Sequence, residues 1–158
     1  VEIKMVLFLP RDAESVPVSR QVLNGCLQTL GVTAETRTDI ALALSEACAN
    51  VILHAGPGDE YEVVARASDG RCIIEVVNTA EGSDGVIPTL VPPAGGTVPP
   101  TDEHGRGLMI MDAVVDNLRL TGDRSGTTVH FEKALDWEPG SAGEHLSAGN
   151  EHLSAENG

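Results

Sequence analysis

Between Thr33 and the break at Gly56-Pro57-Gly58 the chain carries one long helical pattern, with Ile40, Leu42, Ala43, Leu44, Ala47, Val51, Ile52 and His54 recurring at helix spacing. A helix this long and this apolar must bury most of its surface, so the rest of the chain has to supply elements that cover it. A helix starting near Ser15 precedes it. Ser15 is positioned to cap that helix, Pro17 lies in its first turn, and Val18, Val22, Leu23, Cys26, Leu27 and Leu30 keep helical spacing until Gly31. Ahead of both, Glu2 to Leu9 favours a strand and stops at Pro10, which cannot donate to a ladder.

Downstream, Tyr61 to Ala67 and Arg71 to Val77 alternate around Ser68-Asp69-Gly70, the pattern of an antiparallel hairpin. Periodicity fails from Glu81 to His104, where five prolines interleave with glycines; a long segment between ordered-looking elements is expected to act as a lid over 81–104. A short helix with Leu108, Ile110, Met111, Val114 and Val115 follows, then a last hairpin of Asn117 to Thr121 and Thr127 to Lys133. Paired strands and helices that share one face predict an α+β two-layer sandwich with a mixed, mostly antiparallel sheet, spanning residues 1–133. Residues 134–158, rich in Gly, Ser, Ala and acids, are expected to form a disordered tail.

Composition narrows the function. Asp and Glu number 24 against 10 Lys and Arg, a formal charge of −14, so the mean field repels nucleic acid and anionic lipid, and direct binding to either is not expected. Aromatics are 3% of the chain, leaving Val, Leu, Ile and Ala to fill the core. Cys26, Cys48 and Cys72 are odd in number, sit in apolar surroundings and form no metal-ligand spacing, so they are expected to be reduced core residues. No leader-like segment precedes the first strand and no apolar run approaches a membrane span, which makes the cytoplasm the expected location.

Three segments carry chemistry. In the apolar second helix, Glu46 and Asn50 are four residues apart and share a face. Either they satisfy each other and nearby backbone, or that face opens into a ligand cleft. Gly105-Arg106-Gly107-Leu108 opens the third helix, where a glycine pair leaves backbone N–H groups available to phosphate oxygens; an ordinary tight turn also uses glycine. Gly126-Thr127-Thr128 begins the last strand and says little alone.

Taken in order, the E-A-x-x-N helix, the lid, G-x-G-L and G-T-T resemble the ATP-binding superfamily shared by gyrase and histidine-kinase catalytic domains, whose fold is the Bergerat type. Within it, S-E-A-C-A-N-V-I-L-H-A and G-R-G-L-M-I-M-D-A-V-V-D look like the anti-sigma-factor serine kinase branch, over about Val6 to Lys133. The resemblance implies ATP and Mg²⁺ as cofactors. It implies Glu46 as general base toward a serine hydroxyl, Asn50 as the Mg²⁺ ligand, Gly105, Arg106, Gly107 and Leu108 around the phosphates, and Thr127 near adenine. As partners it implies a sigma factor and an anti-anti-sigma antagonist of the STAS type, with a homodimer as a compatible assembly and transcription in stress response or sporulation as the setting. Arg20 on the first helix is the candidate partner contact.

One box departs from that family. Where it has D-x-G-x-G this chain has Asn78-Thr79-Ala80-Glu81-Gly82, so the adenine-reading acid is an amide, and Ala80 brings a Cβ where a glycine is usual; Asn78 and Gly82 remain the matching cofactor positions. Two functions therefore compete: a protein-serine kinase that also sequesters a sigma factor, and a binding module of the same fold with a degenerate nucleotide pocket. A two-component sensor fragment is disfavoured, since no helical phosphoacceptor segment precedes Val6.

Overall fold

The computed structural model describes residues 2–54, 59–78, 103–123 and 126–141, without the side chains of 54, 103, 104, 105 and 123. The elements run β1 (Ile3–Pro10), α1 (Ser15–Leu30), α2 (Ala34–His54), β2 (Glu60–Ser68), β3 (Arg71–Asn78), α3 (Glu103–Val114), β4 (Asn117–Asp123) and β5 (Gly126–Ala134). The five strands form one sheet in the order β1-β2-β3-β5-β4, and each described pairing is antiparallel. The expected α+β class holds, and the sheet lies at the antiparallel end of the expectation.

The β2–β3 hairpin is closed where expected: Ser68 pairs with Arg71, and Asp69 and Gly70 take φ of 50° and 74°, the left-handed pair that a two-residue hairpin turn requires. Period-2 alternation then fixes one buried face. Across the sheet, Ala65, Ile74, Phe131 and Leu118 fall in one row, and Val63, Val76, Val129 and Leu120 in the next. Tyr61 opposite Asn78 follows, so Asn78 occupies a core-face position at the end of β3.

On this face lies α2, packed against β3 and β5 and flanked by α1 and α3. Ile40, Ala43, Leu44, Ala47, Cys48 and Val51 are buried, as the apolar run demanded. Its start is capped by Thr33, whose carbonyl accepts from Arg37 N–H at 3.0 Å and whose Oγ1 faces Thr36 N–H at 3.4 Å. Gly31, at φ 91°, ends α1: its N–H reaches Gln28 O and Val32 N–H reaches Leu27 O, both at 3.0 Å, the paired bonds that satisfy a helix's last carbonyls.

Two boundaries differ from expectation. Ser15 does not cap α1. Glu14 holds the cap position in helical conformation, and Ser15 Oγ is committed to Asp12 O at 2.7 Å and the Tyr61 hydroxyl at 2.6 Å. The fold also runs past Lys133: Leu135 is buried, Trp137 bridges Val32, Asp136 O accepts from Thr33 N–H at 2.9 Å, and Glu138 N–H donates to Gly31 O at 2.7 Å. This strap of residues 135–141 holds the α1–α2 turn. The Asp136 carboxylate accepts from Thr36 Oγ1 at 3.3 Å and places negative charge at the N-terminus of α2, where the helix dipole favours it. Residues 142–158, and the lid interior with Gly82, lie outside the described residues.

Cys48 and Cys72 are buried and unpaired, and Cys26 is half-buried and also free. Burial pushes the Cys48 thiol up to about 11 against hydrogen bonds from Ser19 and Tyr61, and pushes Cys72 up to about 12. No helix among the described residues is long and apolar enough to cross a membrane.

Candidate functional site

Helix α2 brings two polar groups to the surface it shares with α3 and the sheet. Asn50 is 8% exposed, and its Nδ2 finds no hydrogen-bond partner among the described residues. That amide is the only side-chain donor with which Asn50 could satisfy the Glu46 carboxylate, so among the described residues the two side chains do not satisfy each other. The far end of α2 is held by Arg11, whose Nη2 donates to Ile52 O at 3.0 Å while its backbone N–H donates to Asp59 O at 2.8 Å. A guanidinium on the last-turn carbonyls also suits the negative end of the helix dipole. Arg11 was not legible as a site-supporting residue, since an isolated arginine after a strand carries no sequence signal.

Glu46 faces α3. A Cβ built on Gly107 would lie 2.7 Å from Glu46 Oε2, so the carboxylate occupies the space that the missing side chain leaves. This is a close approach that only glycine allows. Helix α3 starts at Glu103, ahead of the Gly105-Arg106-Gly107-Leu108 run expected to open it, so Gly105 and Arg106 lie in its first turn and Gly107 begins the next. Its first N–H groups have no intrahelical partner and carry the positive end of the dipole. Leu108 and Met111 are buried and anchor this helix to the core, while Arg106 is exposed.

The third part of the site is the end of the sheet. Asn78, 5% exposed, has neither Oδ1 nor Nδ2 hydrogen-bonded among the described residues. Gly126 at the start of β5 lies against it: a Cβ there would sit 3.1 Å from the Asn78 carbonyl oxygen and 3.6 Å from its Nδ2. Thr127 is the next residue and is half-buried. Gly126 was legible only as a turn residue; its part in making room beside Asn78 depends on the β3–β5 pairing, which a local pattern does not contain.

Arg20 is not among these groups. It lies on α1 and donates from Nη1 to Ser45 Oγ at 3.2 Å, at the solvent side of α2 and one residue from Glu46. Among the described residues no group of three or more His, Cys, Asp or Glu is placed to hold a metal ion. Any divalent cation here would need ligands from elsewhere, as a phosphate-bound Mg²⁺ has. The residues fit the phosphate part of such a complex: the Asn50 Nδ2 is a donor with no partner among the described residues, which suits a phosphate oxygen, and the Glu46 carboxylate one turn before it lies against Gly107 of α3.

The family model described as a histidine kinase-like ATPase domain matches residues 9–133. Among curated proteins, the serine-protein kinase RsbW of Bacillus subtilis is 32% identical over 136 residues, covering 82% of this chain and 84% of that protein. An anti-sigma F factor of Clostridium botulinum is 26% identical over 136 residues, covering 84% and 94%. Among solved structures, a Mycobacterium tuberculosis protein containing RsbU and RsbW domains superposes with a TM-score of 0.63 at 20% identity; the match covers 84% of this chain and 32% of that one, and supports the fold. With the Glu46–Gly107 approach, the orphaned Asn50 and Asn78 amides and these matches together, the chain belongs to the histidine kinase-like ATPase family, in its anti-sigma-factor serine kinase branch.

Proposed function

We propose that this chain is a protein-serine kinase that binds Mg-ATP, phosphorylates a serine of an antagonist protein and sequesters a sigma factor. The observation that carries the reading is the Glu46 carboxylate lying directly against Gly107. It supports the reading by bringing a carboxylate, taken here as the base, against the second turn of a helix whose N-terminus is taken here as the phosphate site, two parts that a phosphoryl transfer uses. The printed names of the relatives, serine-protein kinase and anti-sigma factor, support the same reading.

In this reading Glu46 orients the attacking serine hydroxyl and takes its proton at a carboxylate oxygen. The unpaired N–H groups opening α3, with the Arg106 side chain, hold phosphate oxygens. The Asn50 amide oxygen is the protein's contribution to Mg²⁺, which when bound neutralises charge between the phosphates. Asn78 and Thr127 read the base, and Gly82 belongs to the same pocket. Arg20 and the neighbouring exposed surface of α1, where Val18 and Val22 stand in solvent, form the partner-docking face. The sigma factor, the STAS-type antagonist, a homodimer and a cytoplasmic setting are all carried here as part of the proposal.

The test is radiolabel transfer from ATP to a serine-bearing antagonist. Glu46→Gln keeps nucleotide binding within about twofold and cuts transfer by roughly 10²–10⁴-fold, the range for a removed general base. A wild-type chain that binds the antagonist but transfers no label, with the Glu46→Gln chain indistinguishable from it, replaces this reading with the binding module.

A further inference from the structure

Asn78 is a primary amide, buried at 5% exposure, with its donor and its acceptor both unpartnered among the described residues. Leaving even one buried polar atom unpaired is costly, so a ligand that pairs both is favoured. The described neighbours do not compete for it. Tyr61, in register opposite, has its hydroxyl 2.6 Å from Ser15 Oγ, and Gly126 offers no side chain. No described group fixes which way round the amide lies.

The chemical complement of a carboxamide is an edge that carries a donor and an acceptor side by side in one plane. A carboxylate at this position presents acceptors only and selects an amino group. An amide presents Oδ1 to a purine 6-amino group and Nδ2 to the adjacent ring nitrogen. Turned over, it presents Nδ2 to a 6-oxo group and Oδ1 to the adjacent ring N–H. The two orientations exchange by a half-turn of one terminal torsion, which has broad and nearly two-fold preferences.

We propose that Asn78 gives this chain a base pocket that accepts 6-oxo as well as 6-amino purine nucleotides. The inference rests on the nucleotide-site reading above and specifies its substrate class. It concerns recognition alone, so binding decides it.

Inosine triphosphate is the cleanest probe, because it differs from ATP only along the edge in question. Calorimetric titration of the full chain with Mg-ATP and Mg-ITP is expected to give affinities within about tenfold of each other. In Asn78→Asp the ratio of ITP to ATP affinity falls by roughly 10- to 100-fold, because a carboxylate faces the 6-oxo group with no donor. The wild-type ratio stands without the variant, should that buried acid impair folding. Wild-type binding of ATP with 100-fold discrimination against ITP overturns the inference and leaves the nucleotide site standing. Binding of neither nucleotide overturns both.

Discussion

Replacing Gly107 with alanine separates the fold from the chemistry. The new Cβ would stand 2.7 Å from Glu46 Oε2, where ordinary contact begins at 3.4 Å, so the carboxylate must retreat by ~0.7 Å. The obstructing atom is the tip of a flexible side chain, and moving it off its rotamer costs about 0.5–1.5 kcal/mol. Against this, position 107 lies within α3, where alanine is better than glycine by up to ~1 kcal/mol. Folding stability should therefore change little. Transfer should not: a misplacement approaching 1 Å costs on the order of 10²-fold when a group must be held for attack. The assay pairs urea unfolding with single-turnover label transfer at saturating Mg-ATP. A midpoint within error of wild type with transfer reduced about 100-fold is the expected result. Unchanged transfer, or a loss of transfer matched by a collapse in stability, refutes the argument that Gly107 is kept to seat Glu46.

The other expectations concern the frame that holds the site. Gly31→Ala should destabilise by at least ~1–2 kcal/mol by urea unfolding, since φ is 91° and the added Cβ collides with Ser141; equal stability would refute it. Ending the chain after Ala134 removes buried Leu135 and the Trp137 bridge, and should cost at least ~3 kcal/mol by urea unfolding; an unchanged midpoint would make the strap dispensable. Stability should also fall in alkali. The folded thiols of Cys48 and Cys72 are raised to about 11 and about 12 from 9.0, so the unfolded chain loses these protons first; the stability they contribute is complete below about pH 9 and disappears as pH rises toward 12. A urea midpoint that stays flat from pH 8 to 11 would contradict this.

Much of the fold was legible because local chemistry and tertiary need agree at particular residues. Asp69-Gly70 can hardly be other than a hairpin turn, Gly31 stops α1 because φ there is positive, and the Ile40 to Val51 pattern is buried along α2. What escaped depended on contacts distant in sequence. Ser15 has a cap residue's chemistry, yet its hydroxyl is drawn to Tyr61, 46 positions away. The strap over the α1–α2 turn hid within a tail whose polar composition suggested disorder, because among the described residues its apolar anchors are just Leu135 and Trp137, and its other ties are hydrogen bonds to residues distant in sequence. In the site, Glu46, Asn50 and Gly107 were legible as a motif. The close Glu46–Gly107 approach and the paired orphan atoms of Asn78 were not, since both depend on how α2 meets α3 and β3 meets β5.

The central claim is that Asn50 and the surrounding groups form a working Mg-ATP site, and calorimetric titration of Mg-ATP into the wild-type chain and Asn50→Ala tests it most directly. The account predicts saturable binding by the wild type below millimolar concentration, and affinity reduced by roughly tenfold or more in the variant, because the cation loses its protein ligand. Wild-type protein that shows no binding at millimolar Mg-ATP, or a folded Asn50→Ala chain that binds as tightly as wild type, would contradict it.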